Sequence, residues 1–149
     1  MGFYELAKNE LNEIEEEIKK ALLNEPKQIY GMLLPYIQRG GKRIRPLLII
    51  LCAKAFTEDA RGIVKPATIV ELFHNFTLIH DDICDNSEYR RGKPTLHVEY
   101  GLPIALNSGD ALYTLIFIYI SNLNLETKSI IEPFFSSSLR TAKYFTKLS

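Results

Sequence analysis

Eighteen basic and eighteen acidic side chains cancel, so the chain carries no net charge. That excludes the broad positive field that draws a domain to nucleic acid or to an anionic membrane surface. Cysteine is scarce. Cys52 and Cys84 stand apart, at no spacing that makes a metal site or a disulfide framework, as in a reduced, cytoplasmic protein. The opening MGFYELAKNE has no signal-peptide core and no basic transit character, and its sixth residue is not the Ser or Thr that favours myristoylation. The apolar run from Ala111 to Ile120 falls short of the ~20 residues of a membrane span, so no transmembrane segment is expected. Repeats, low-complexity tracts and internal linkers are absent as well. What remains is a chain of 149 residues, long enough for a single helical domain over 1–149 with its own core.

Periodicity predicts helices joined by short connections. Leu11, Ile14, Ile18 and Leu22 form an apolar stripe on a charged first helix that stops before Pro26. A second helix covers Ile29 to Gln38, with a kink expected at Pro35. Leu47 to Phe56 is apolar nearly all round and is expected to be buried. Pro103 opens a helix that reaches about Leu123, and an amphipathic segment follows from about Glu126 to Tyr144.

The chemistry concentrates between Glu71 and Thr95, ELFHNFTLIHDDICDNSEYRRGKPT. Pro66 suits a helix start, and Ala67 to about Asn86 contains no interior Gly or Pro. At about 100° per residue, His74, Thr77, Leu78, Asp81 and Asp85 share one face, opposite Ile69, Leu72, Phe76, Ile79 and Ile83. Asp81 and Asp85 form an i, i+4 pair with Asp82 beside them, a repulsive cluster unless a cation sits on it. Oxygen ligands favour a hard cation, and Mg²⁺ takes one or two protein carboxylates plus water and substrate phosphates. Asn86-Ser87 should end the helix, and Arg90, Arg91 and Lys93 follow in a loop that can fold back over the acidic face as an anion clamp. A second cationic turn, Gly40-Gly41-Lys42-Arg43-Ile44-Arg45-Pro46, opens another helix upstream. Two basic turns around one acidic helix suggest two anionic substrate groups, one of them bridged by metal.

Each piece alone has an ordinary structural explanation. Their order, GGKxxRP, then HxxxxxHDDxxD, then RRGxPT, does not. At these residues, from about Gly31 to about Leu125, the chain resembles the trans-isoprenyl (polyprenyl) diphosphate synthases, and HNFTLIHDDICD with RRGKPTLHVEYGLP looks most like the archaeal-type geranylgeranyl diphosphate synthases. The resemblance implies an all-α fold, an antiparallel helical bundle of the isoprenoid synthase type around a deep cavity. It implies prenyl transfer, condensing isopentenyl diphosphate with an allylic diphosphate and releasing pyrophosphate. Asp81 and Asp85 would hold Mg²⁺ on the allylic diphosphate, with Asp82 in the same catalytic cluster. Arg90 would grip that diphosphate, and Lys42, Arg45, His74 and Arg91 would hold isopentenyl diphosphate. Phe73, Phe76 and Thr77 would set chain length. Phe76 and Phe73 precede Asp81 by five and eight residues, about 7.5 and 12 Å deeper along the helix at ~1.5 Å per residue. A homo-oligomer, dimer or larger, is implied through the helix that Pro103 opens, on which Leu112, Leu115, Ile116, Ile118 and Tyr119 are expected to be exposed over most of the circumference. Neither Ser108 nor Thr77 has a base placed beside it by any pattern, so no covalent nucleophile is expected.

Family members continue beyond this length into a second half that carries another Asp-rich motif, a lysine and a glutamine facing the allylic substrate. None of these is found in the 149 residues, and from about Ser136 the wording departs from the family. The expectation is therefore the N-terminal half of the fold, with prenyl transfer incomplete in this chain alone. The alternative is a non-catalytic or regulatory helical subunit that partners a full-length synthase. A pure scaffold, however, has no need of the intact basic and acidic motifs. Glu71-Leu72-Phe73-His74 is an ExxH as in di-iron bundles, but no second ExxH accompanies it.

Overall fold

The computed structural model describes residues 2–23, 27–57, 59–124 and Ser136. Seven α-helices and one small hairpin are found among them: α1 (Phe3–Leu6), α2 (Lys8–Leu22), α3 (Lys27–Ile37), α4 (Ile44–Lys54), α5 (Val64–Cys84), β1 (Tyr89–Arg90), β2 (Lys93–Pro94), α6 (Leu96–Tyr100) and α7 (Leu102–Ser121). A 3₁₀ turn, Arg61–Ile63, leads into α5. The segment expected to be amphipathic between Glu126 and Tyr144 lies outside the described residues, Ser136 apart.

Helix α5 is the central element. It packs against α2, α4 and α7, with its most extensive contact on α7. Ile69, Leu72 and Ile79, expected on the apolar face, are buried, while Phe76 and Ile83 are partly covered. Burial goes further than the stripe: Thr68, Glu71, Asn75 and Asp82 are also inside. Thr68 and Asn75 donate to carbonyls four residues back, which pairs both donors within the helix and leaves the buried Asn75 Oδ1 without a partner among the described residues. The α2 stripe is as read, with Ile14, Ile18 and Leu22 buried and Leu11 partly so. Helix α3 runs through Pro35 to Ile37.

Two expectations are corrected. Helix α4 is not buried all round. Pro46, Leu47 and Ile50 face α2 and α5, but Leu48 is 55% exposed and Phe56, beyond the helix end, is 92% exposed. Apart from α5, α4 makes only light contacts, among them those with α1, α2 and the 3₁₀ turn. The outward apolar residues of α7 also differ from those anticipated. Leu112, Leu115 and Ile116 pack inward, and the exposed set is Leu102, Ile104, Leu106, Tyr113, Phe117 and Ile118. By length and composition alone α7 could cross a membrane, with a mean hydropathy of 1.3. The core helix of a globular fold meets the same description, and this one is packed against α3, α5 and α6.

Contact between α5 and α7 depends on Gly109. A Cβ at that position would stand 2.5 Å from His80 Nε2. His80 is itself wedged edge-on against Phe76, ring centroids 4.8 Å apart, so it has little room to yield. Replacing a helical glycine by alanine ordinarily stabilises by ~1 kcal/mol. Here Gly109→Ala should instead destabilise by about 1–3 kcal/mol through overpacking. Urea unfolding checks this, and in a His80→Ala background the same change should become stabilising.

Candidate active site

The end of α5 is built by a Schellman turn. Asn86 adopts a left-handed φ of 51°, its N–H donates to Ile83 O at 3.2 Å, and Ser87 N–H donates to Asp82 O at 2.9 Å. Asparagine tolerates this conformation better than most residues, so Asn86-Ser87 ends the helix as expected. Asp85 is left as the capping residue, its N–H on Asp81 O at 2.8 Å. Asp81 and Asp85 are both exposed.

The chain then returns over the helix end as a hairpin, which the sequence reading did not foresee. Arg90 pairs with Lys93 and Tyr89 with Pro94, and the two central residues, Arg91 and Gly92, have φ of 53° and 73°. Two positive φ values in a two-residue loop are those of a type I′ turn, whose twist matches the flanking strands. Gly92 takes such a φ without penalty; Arg91 does not. Thr95 closes the loop, its hydroxyl donating to Ser87 O at 2.8 Å and its N–H to Glu88 O at 3.0 Å.

The fold-back brings Arg90 onto the acidic helix, but onto Asp82. Arg90 Nε donates to Asp82 Oδ1 at 2.7 Å, with Nη2 2.6 Å from the same oxygen in the ion pair, and Tyr36 Oη donates to Oδ2 at 2.9 Å. Asp82 is 1% exposed, so its carboxylate faces the interior while those of Asp81 and Asp85 face solvent. The hydrogen bond to Asp82 holds Arg90 more firmly protonated. Burial, and then the neighbouring Asp82 carboxylate, keep the Tyr36 hydroxyl protonated as well.

The upstream basic turn divides its cations between inside and outside. Arg43 has a left-handed φ of 45° and points inward. It donates to Glu15 Oε1 at 2.6 Å, to the 3%-exposed Glu71 at 2.9 Å and to Ile37 O at 3.0 Å. Burial opposes its charge, but Glu15 and Glu71 outweigh that and raise its pKa. Lys42 and Arg45, on either side, stay exposed. Together with His74 and Arg91 they line one recess of about 90 Å³, floored by Glu71. Arg45 Nη1 lies 3.2 Å from His74 Nε2, and Arg91 reaches across to hydrogen-bond Gly40 O. Burial first, then the positive charges of Arg45, Arg91, Arg90 and Arg43, push the His74 pKa down to about 4. His74 is therefore neutral at pH 7, with its proton on Nδ1 if Nε2 accepts from Arg45. A larger groove of about 540 Å³, lined by Glu13, Glu16, Lys20, Arg61 and Lys65 among others, is of mixed charge, and none of Lys42, Arg45, His74 and Arg91 borders it.

Phe73, Phe76 and Thr77 lie deeper along α5. Phe76 contacts Phe73 at 5.6 Å and stacks on Tyr113 of α7 at 4.8 Å, and Tyr113 meets Phe117 edge-on at 4.8 Å. Sequence reasoning named the phenylalanines but not Tyr113, whose partner is 37 residues away. The Thr77 and Ser108 hydroxyls donate to His74 O and Ile104 O, each at 2.8 Å.

Sequence comparison extends the match beyond the Gly31–Leu125 span of the motifs, to residues 26–144, past the point near Ser136 where divergence was expected. The chain is 42% identical over 122 residues to the short chain isoprenyl diphosphate synthase of Methanocaldococcus jannaschii, covering 82% of this chain and 37% of that protein. It is 38% identical over 128 residues to the geranylgeranyl pyrophosphate synthase of Geoglobus acetivorans, covering 85% and 40%. The fold is similar to the crystal structure of geranylgeranyl pyrophosphate synthetase from Pyrococcus horikoshii, with a TM-score of 0.81 and 31% identity over 91% of this chain and 42% of that one. The chain thus spans about two fifths of the length of these relatives. With an all-α isoprenoid synthase architecture and a family match over residues 26–144, it belongs to the polyprenyl synthetase family.

Proposed function

We propose that this chain supplies the diphosphate-binding part of a Mg²⁺-dependent trans-prenyltransferase of the geranylgeranyl diphosphate synthase kind, acting in the cytoplasm. The observation that carries this reading is the convergence of Lys42, Arg45, His74 and Arg91, from three separate elements, on one recess. A lysine, two arginines and a neutral imidazole offer donors and no competing negative charge at the rim, which suits the diphosphate of isopentenyl diphosphate.

The allylic diphosphate belongs at the hairpin side, between Arg90 and the exposed pair Asp81 and Asp85. These two oxygen donors fit Mg²⁺. Among the described residues no three His, Cys, Asp or Glu side chains gather into a self-sufficient metal site. An ion there would draw its remaining ligands from water and the diphosphate, as Mg²⁺ commonly does. When bound it neutralises charge on the departing pyrophosphate. Arg90 adds preset positive charge at the same oxygens, and the aromatic stack Phe76–Tyr113 walls the region deeper along α5, where the growing chain would lie.

Calorimetry with pyrophosphate tests the reading. Binding should strengthen when Mg²⁺ is added, and an Asp81→Ala/Asp85→Ala variant should lose about tenfold or more of that gain, ~1.4 kcal/mol. Equal binding by the variant would sink the assignment.

The chain also self-associates. Apart from the Tyr113–Phe117 wall, α7 leaves Leu102, Ile104, Leu106 and Ile118 exposed, and apolar surface of this extent on one helix rarely stays open to water. Closed twofold pairing is the simplest way to cover it. Light scattering after size exclusion should give a mass at least twice the 17.1 kDa of one chain. A species at the single-chain mass at micromolar concentration rules this out.

A further inference from the structure

Arg90 leaves α5 on a two-residue strand, which by itself does little to aim a long side chain. Its orientation comes from Asp82, and that of Asp82 comes from Tyr36. Tyr36 is 3% exposed in the last turn of α3 and stands 46 residues before Asp82. Its hydroxyl donates to Asp82 Oδ2, while Oδ1 accepts from Arg90 Nε and forms the ion pair with Nη2 at 2.6 Å. With each oxygen assigned to a different donor, the carboxylate plane cannot rotate. Arg90 Nη1 has no partner among the described residues, so one end of the guanidinium remains for a ligand. The same ring steadies the opposite strand: the Arg39 guanidinium lies 5.2 Å from the Tyr36 centroid, hydrogen-bonds Pro94 O and pairs with Glu99 at 2.6 Å.

The geometry points to Tyr36 as a positioning residue that, through Asp82, presets the Arg90 guanidinium for a diphosphate, so that Asp82 serves this anion-binding arm and not the metal. This deepens the diphosphate reading and rests on it for the identity of the ligand. Remove the hydroxyl and Oδ2 becomes a buried acceptor with no donor. The carboxylate is then free to rotate about its own axis, and the guanidinium it holds loses its fixed orientation.

Two measurements on the 149-residue chain test this. In ¹⁵N–¹H spectra the Arg90 Nε–H should give a distinct, slowly exchanging signal that broadens or is lost in Tyr36→Phe, which keeps the buried ring. By calorimetry, Tyr36→Phe should bind pyrophosphate with Mg²⁺ about tenfold more weakly, the scale of one charge-assisted hydrogen bond. In an Arg90→Ala background it should cause no further loss. Asp82→Asn, which keeps the shape of the site, should weaken binding by a similar factor. An unchanged Arg90 signal, a full loss persisting without Arg90, or native affinity in Asp82→Asn each overturns the proposal. If the unsubstituted chain fails to bind pyrophosphate, the diphosphate reading falls, and the Arg90 signal alone decides whether Tyr36 positions it.

Discussion

Given isopentenyl diphosphate, an allylic diphosphate and Mg²⁺, the 149-residue chain alone should turn over at least about a thousandfold more slowly than the ~10 s⁻¹ typical of enzymes. Ionising an allylic diphosphate places a cation on carbon and almost a full additional charge on the leaving pyrophosphate. Stabilising that charge calls for several fixed positive partners in a site that excludes water. The described residues provide Arg90 and a two-carboxylate metal face, Asp81 and Asp85. No second Asp-rich motif occurs in the 149 residues. The stack of Phe76, Tyr113 and Phe117 leaves Tyr113 38% and Phe117 50% exposed, so the carbocation would lie against an open wall. Binding without turnover is the expected outcome, followed by mass analysis of the prenyl products. Turnover on the order of 1–10 s⁻¹ would mean that two copies rebuild a closed site between them.

Arg43→Met should destabilise the chain by about 3–5 kcal/mol, the usual loss when one partner of a buried ion pair is removed. Glu71, at 3% exposure, would keep a charge without its guanidinium, and Glu15 and the Ile37 carbonyl would each lose a donor. Since a domain of this size has only ~5–15 kcal/mol of stability, the variant should be near the limit of folding at 37 °C. Lys42→Met and Arg45→Met, on exposed neighbours, should stay within ~0.5 kcal/mol of the parent and instead lose pyrophosphate affinity. Urea titrations of the three variants separate these outcomes. Adding Glu71→Gln to Arg43→Met should recover part of the loss; equal stability of all three single variants would show that Arg43 is not the anchor.

The helices and the order of the site were legible because both are written in local spacing. The α2 stripe, the end of α5 at Asn86-Ser87 and the two basic turns all follow from residues within one or two turns of each other. Arg43, Asp82 and Tyr113 were not legible. Arg43 looks like its neighbours in sequence, and only its left-handed φ sends it inward. Asp82 sits between two exposed aspartates, and its burial is decided by Tyr36, 46 residues upstream. The hairpin was missed for a chemical reason: Arg-Gly is a poor signal for a turn that usually calls for Asn-Gly or Asp-Gly. The all-round burial expected of α4 failed because apolarity reports tolerance for burial, and the number of neighbours decides how much of it occurs.

That turn also sets a conflict at position 91. A left-handed backbone there favours Asn or Gly by about 1–2 kcal/mol over most side chains, while the anion-binding recess draws on an arginine at the same place. Variants sorted only for heat resistance would be driven toward Arg91→Asn or Arg91→Gly and would shed a ligand-binding cation as they improved. Position 91 is where thermal robustness and affinity pull in opposite directions, and a selection scheme for this chain has to score both at once.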